Sequence, residues 1–150
     1  MTLHVRTADW NTPDDRRALR RIRQQVFIDE QQVPVALEWD GRDPQALHFL
    51  AENAGQAVGC ARLLRHDAQR AQIGRMAVLP AYRGRGVGAA LMQTVLRQAT
   101  SLGVTQLFLH AQLPVIDFYR RFGFTPQGDI FLDAGIQHRT MFRNCAKKEI

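Results

Sequence analysis

Three glycines at alternate positions, Gly84, Gly86 and Gly88, stand directly before the clearest helix of this sequence. Over Gly86–Leu102, Val87, Leu91, Val95 and Leu102 mark an apolar face that Met92, Leu96 and Ala99 widen, and Gly103 is a natural stop. Glycine lets a backbone approach a phosphate closely, because no Cβ intervenes. The first turn of a helix leaves its N–H groups unpaired and carries partial positive charge. The run Arg83-Gly84-Arg85-Gly86-Val87-Gly88-Ala89 therefore reads as an anion site at a helix start, with Arg83 and Arg85 adding formal charge on either side.

The residues of the turn admit several readings. A lysine-containing P-loop fails, because no Gly-Lys-Ser or Gly-Lys-Thr follows. A dinucleotide fold matches Gly84-x-Gly86-x-x-Ala89, but it needs a strand running straight into the turn and an acid about 20 residues on. Pro80-Ala81-Tyr82-Arg83 intervenes instead, and the next acid after Gly88 is Asp117. A loop that merely turns the chain is the plainest alternative.

The rest of the chain supplies the frame. Leu3-His4-Val5-Arg6 alternates as a half-buried strand does. Thr12-Pro13-Asp14-Asp15 reads as a helix start, with Thr12 as cap, Pro13 at the first helical position and the acids at the positive dipole end. Leu19, Ile22 and Val26 follow at helical spacing, and Arg16, Arg17, Arg20, Arg21 and Arg23 read as a solvated face. Pro34, Gly41 and Pro44 break residues 31–47 into a mobile loop with a short helix. Residues 49–52 and 57–64 read as strands joined by the hairpin turn Asn53-Ala54-Gly55-Gln56. Gln72–Leu79 is another strand. Gln106–Ala111 is a nearly continuous apolar strand, as in a sheet covered on both faces. A short helix over Val115–Phe122 and one or two strands between Phe124 and Phe142, turning at Asp133-Ala134-Gly135-Ile136, complete the order. That order predicts a mixed α/β sheet and not a regular βαβ repeat.

Composition excludes some classes. The 150 residues are 45% hydrophobic and 23% charged, which fits one ordinary globular domain with a core that needs no metal or disulfide. Cys60 and Cys145 form no zinc spacing and no Cys-x-x-Cys, so a reduced cytoplasmic setting is expected. No apolar run is long enough for a membrane helix, and residues 1–6 lack a signal-peptide core. The net charge of +6 suits a polyanionic ligand, nucleic acid or acidic membrane alike. No helix-turn-helix signature, zinc spacing or exposed aromatic series points to specific nucleic-acid recognition.

Longer motifs carry a resemblance. The segment Val78–Met92, with Arg83, Gly86 and Gly88 at the Gln/Arg-x-x-Gly-x-Gly/Ala positions, resembles the central motif of the GCN5-related N-acetyltransferase (GNAT) superfamily. Phe118-Tyr119-Arg120-Arg121-Phe122-Gly123-Phe124 resembles its Phe-Tyr-x-x-x-Gly-Phe signature, one helix and one strand further on. Arg23-x-x-Val26-Phe27-x-x-Glu30-Gln31, Asp40-x-x-Asp43, His48 and Phe131-x-x-Ala134-Gly135-Ile136-x-His138-x-x-Met141 are similar to the ElaA-like branch, with Asp133 where a glutamate is more usual.

The resemblance implies a mostly antiparallel sheet flanked by helices, with a central splayed pair of parallel strands, Gln72–Leu79 and Gln106–Ala111. Acetyl-CoA would lie in the gap as co-substrate, with no metal. Backbone groups of Met76, Ala77 and Val78 would pair with the pantetheine arm, and one of their N–H groups would polarise the thioester carbonyl. Arg83, Gly84, Arg85, Gly86, Val87, Gly88 and Ala89 would hold the pyrophosphate. A primary amine on a small molecule or peptide would attack directly in a ternary complex, and Tyr119 would protonate the departing thiolate. The strand Gln72–Leu79 carries no acid, so the base is sought among Glu30, Glu38, His48, His110 and His138, with Glu30 and His138 leading through their motifs. A thiol relay through Cys60 or Cys145 is the less expected route. Residues 27–48 and 125–142 would wall the acceptor side, and a homodimer is common in the superfamily. A non-catalytic acyl-CoA sensor is the competing function.

Overall fold

The computed structural model describes residues 1–145. Strand β1 (Leu3–Ala8) leads to helix α1 (Pro13–Arg23), which continues as wider π-helical turns over Gln24–Glu30. A short helix α2 (Val35–Glu38) and a 3-10 turn at Asp43–Gln45 precede β2 (Leu47–Asn53), β3 (Gln56–Arg65) and β4 (Arg70–Val78). Then come α3 (Val87–Ser101), β5 (Gln106–Gln112), α4 (Ile116–Arg120), β6 (Thr125–Asp133) and β7 (Ile136–Asn144). The seven strands form one sheet in the order β1-β2-β3-β4-β5-β7-β6. Every neighbouring pair is antiparallel except β4–β5.

The periodicity of α3 does what its sequence implies. Val87, Leu91, Met92, Val95 and Ala99 are buried and join Phe49, Val58, Leu63, Ile73, Leu107 and Leu109 in the main core. Gly59 permits this approach: a Cβ there would stand 3.0 Å from Val87 Cγ1 and 3.1 Å from Leu91 Cδ1. On the other face α1 seats Leu19 and Ile22, and its π-helical continuation Val26, against Leu50, Ala57, Cys60 and Ala77. Ala54 and Gly55, with φ of 50° and 81°, make the β2–β3 turn, and Ala134 and Gly135 repeat the device between β6 and β7.

Several expectations need correction. Thr12 holds the cap position of α1, but its side chain makes no capping hydrogen bond. Instead the Asp15 carboxylate accepts the Asp9 N–H at 2.9 Å and pairs with Arg6 at 2.7 Å. Arg23 does not belong to a solvated face. It is 1% exposed and donates to Glu38 and Asp43, each at 2.7 Å. Arg62 joins Asp43 and Asp40, and Arg75 joins Glu38 and Asp40. Three guanidinium groups thus meet three carboxylates, so residues 35–43 are pinned by buried ion pairs despite their loop-like composition. Strand β5 is covered on one face only at His110, which is exposed while Leu109 and Ala111 are buried. The opposite face carries an aromatic row, in which Phe108 lies against His66, His110 and Phe142.

Candidate functional site

The parallel pair is brief. Register runs Arg70↔Gln106, Ala71↔Leu107 and Gln72↔Phe108, and pairing stops there. Beyond it β4 stays on β3, through Cys60↔Ala77 and Gly59↔Val78, while β5 follows β7 as far as Gln112↔His138. The two strands diverge and leave one edge of β4 unpaired. The Leu79 N–H donates to the Val58 carbonyl at 2.9 Å. By the alternation of a strand, Ala77 also turns its backbone groups to β3, and Met76 and Val78 turn theirs to the open edge. The backbone edge that faces the gap is therefore that of Met76 and Val78, while Ala77 turns its backbone groups to β3 and lines the cavity beside them.

A cavity of 740 Å³ occupies the gap. Its floor is β4 from Gln72 to Val78, and the glycine turn stands at one end. Gly84 and Gly86 adopt φ of 72° and 84°, left-handed values that favour glycine, and a Cβ on either would meet nothing within 4 Å. Gly86 is the N-cap of α3 and provides no side-chain bond to the first turn. The free N–H groups of that turn consequently remain available to an anion.

The charge around the turn differs from expectation. The Arg83 guanidinium is taken up by Glu30, at 2.8 and 2.7 Å, and by the Val78 carbonyl at 2.9 Å. Arg85 lies over the Tyr82 ring at 5.4 Å. Arg121, which sequence reasoning passed over, lines the same cavity and has no carboxylate partner among the described residues. Arg121 is the C-cap of α4, which is held there because Phe118 packs on the first turn of α3; a Cβ on Gly88 would stand 3.4 Å from the Phe118 ring. Its position two residues after Tyr119 in the second motif was the available signal.

Tyr119 lines the cavity with its ring edge-on to Phe118 at 5.1 Å and to Phe124 at 6.2 Å. Burial pushes its phenol up to about 12, so it is protonated at neutral pH. Its hydroxyl makes no hydrogen bond among the described residues.

The base candidates separate. The Arg83 hydrogen bond holds the Glu30 carboxyl below its ordinary value and occupies both oxygens. Glu38 and His48 are buried in or beside the ion-pair network; Glu38 binds Arg23, and the His48 ring meets the Asp43 carbonyl at 2.9 Å. His110 and His138 both line the cavity. His110 is exposed to the cavity, but the protein around its ring partly strips it of water and lowers its pKa, and its Nδ1 lies 3.1 Å from the Thr140 hydroxyl. His138 Nδ1 lies 2.7 Å from the Ile136 carbonyl, which can only accept. The ring therefore donates from Nδ1, and the neutral form keeps a lone pair on Nε2. Gln112 donates to Gln31 at 2.8 Å and ties the end of β5 to the segment after the π-helical turns. Burial raises the Cys60 thiol to about 12 and also raises that of Cys145. Neither is an activated nucleophile.

A sheet that opens between two parallel strands, with a glycine turn and a helix start at the gap, defines the acyl-CoA N-acyltransferase fold. Residues 7–124 match the Acetyltransferase (GNAT) family. The chain belongs to that family, in its ElaA-like branch. Protein ElaA of Escherichia coli (strain K12) is 33% identical over 130 residues, covering 84% of this chain and 85% of that protein. Its crystal structure superposes with a TM-score of 0.85 at 29% identity, over 95% of this chain and 99% of that one. An acyl-CoA N-acyltransferase from Pseudomonas aeruginosa gives 0.84 at 32% identity, over 95% and 99%. A GNAT family acetyltransferase from Elizabethkingia anophelis, with acetyl-CoA bound, shares the fold at a TM-score of 0.70 and 15% identity, over 95% and 97%.

Proposed function

We propose that this protein transfers the acetyl group of acetyl-CoA to a primary amine by direct attack in a ternary complex. The observation that carries the reading is that the glycine turn, the unpaired edge of β4 and Tyr119 all face one cavity. The pyrophosphate would take the N–H groups of residues 84–89, with Arg121 supplying the charge that Arg83 has committed to Glu30. The pantetheine arm would run along β4 as an added strand, using Met76 and Val78. An N–H preset on the thioester oxygen favours the developing oxyanion by about 3 kcal/mol.

The amine must lose a proton before attack. An alkylamine with a pKa of about 10.4 is almost wholly protonated at pH 7, and freeing it costs about 4–5 kcal/mol. Between the two leading candidates the geometry favours His138, whose Nε2 lone pair is unspent, over Glu30, whose oxygens are occupied. Tyr119 then returns a proton to the thiolate. Burial disfavours a thiolate as it does a phenolate, so both proton affinities rise together in this cavity.

Gly86→Glu tests the cofactor site. A glutamate there strains a left-handed position and directs negative charge at the phosphates, so calorimetry is expected to show acetyl-CoA affinity reduced by about a hundredfold or more. Wild-type affinity in that variant would remove the turn from the site.

A further inference from the structure

Strand β4 changes parity in its middle. Ala71 and Ile73 face the main core under α3, yet beyond them Met76 and Val78 face that side, and Ala77 packs toward α1. The switch is a β-bulge. Cys60 pairs with Ala77 and Arg62 with Gly74, so Ala61 stands opposite both Arg75 and Met76. Arg75 holds a φ of 52°, which a non-glycine residue keeps only where its surroundings enforce it.

The surroundings of Arg75 come from both sides. Its guanidinium donates to the carbonyls of Leu37 and Glu38, at 3.1 and 2.9 Å, and to the Asp40 carboxylate at 3.4 Å. Its Nε lies 3.1 Å from Glu38 Oε2, too far off line for a hydrogen bond. Its own carbonyl accepts the Cys60 thiol at 3.4 Å. Glu38 is in turn fixed by Arg23, and Asp40 by Arg62. One neutral network therefore grips the bulge from the loop that walls the cavity at Leu37 and Glu38.

We infer that Arg75 is a positioning residue for acyl transfer: its clamp on residues 37–40 holds the bulge that sets the Met76 and Val78 N–H groups along the gap, one of them aimed at the thioester oxygen. This rests on the acetyl-CoA reading above. The loop on the acceptor side thereby sets the geometry of the oxyanion donor, although its own residues need not touch the acyl group. Hydrogen-bond donors act on a developing charge only when placed within a few tenths of an ångström, so a loose bulge costs catalysis before it costs cofactor binding.

The test is Arg75→Gly, which keeps the left-handed backbone accessible and removes the clamp. Amide proton shifts of Met76 and Val78 are recorded with saturating CoA and with saturating acetyl-CoA, in wild type and variant. In the wild type one of these amides moves downfield with acetyl-CoA relative to CoA, because only acetyl-CoA brings a thioester carbonyl. The variant is expected to bind CoA with wild-type affinity and to lose about half or more of that shift difference. An undiminished difference overturns the positioning role. Arg75→Lys carries the same measurement should the glycine variant fail to fold, since lysine keeps the charge but cannot span two carbonyls and a carboxylate. A wild type with no response to either compound at Met76, Val78 or the glycine turn would instead defeat the acetyl-CoA reading itself.

Discussion

Tyr119→Phe is expected to lower acetyl-CoA turnover by about 10²- to 10⁴-fold, the range for loss of a positioned general acid, with acetyl-CoA affinity nearly unchanged. The substitution removes one oxygen. The ring contacts with Phe118 and Phe124 remain, and among the described residues the hydroxyl has no hydrogen-bond partner to orphan. Stability should therefore hold, and the loss should fall on the chemical step. The measurement pairs thiol release under saturating acetyl-CoA with calorimetric titration of the same variant. A folded Tyr119→Phe protein that turns over at the wild-type rate would take Tyr119 out of the mechanism.

Arg23→Ala should destabilise the protein by about 3–5 kcal/mol, since it leaves the three carboxylates of the network, two of them fully buried, with only Arg62 and Arg75 to balance them. Arg17, one helix face away and 74% exposed, provides the control, and Arg17→Ala should change stability by no more than about 0.5 kcal/mol. Chemical denaturation of both variants compares them directly. Acid sensitivity adds a second reading. Burial alone would raise the Asp43 pKa, but the hydrogen bond and charge of Arg23, with Arg62, outweigh burial and hold it below the ordinary value. A depressed carboxyl contributes stability that is full above its unfolded pKa, about 3.9, and is lost as pH falls through the folded value. Without Arg23 that depression shrinks, so acid unfolding should begin at higher pH. Equal stability of the two alanine variants would show that the network does not anchor residues 35–43.

Much of the architecture was legible because local chemistry and global fold agree. The apolar face of α3, its glycine stop and the Asn53–Gln56 turn each carry their own signal. The contacts that failed to show are those that join distant segments. Arg23 reads as one more exposed arginine, because its partners lie 15 and 20 residues away, across a stretch broken by Pro34 and Gly41. Arg83 reads as a phosphate ligand, because Glu30 is 53 residues away. The bulge in β4 did leave a trace: apolar alternation moves from odd positions at Ala71 and Ile73 to even ones at Met76 and Val78. The divergence of β4 and β5 has no such trace. It depends on where pairing stops, and it came to the sequence only through the resemblance of its two motifs.

The central claim is acyl transfer to an amine, and one measurement addresses it most directly: thiol release from acetyl-CoA across a panel of polyamines, amino acids, aminoglycosides and peptide N-termini, with products identified by mass spectrometry. The account predicts thiol release that depends on at least one amine and is matched mole for mole by its N-acetyl product. Acetyl-CoA binding with no amine-dependent thiol release anywhere in the panel would contradict it, and would make the protein an acyl-CoA sensor.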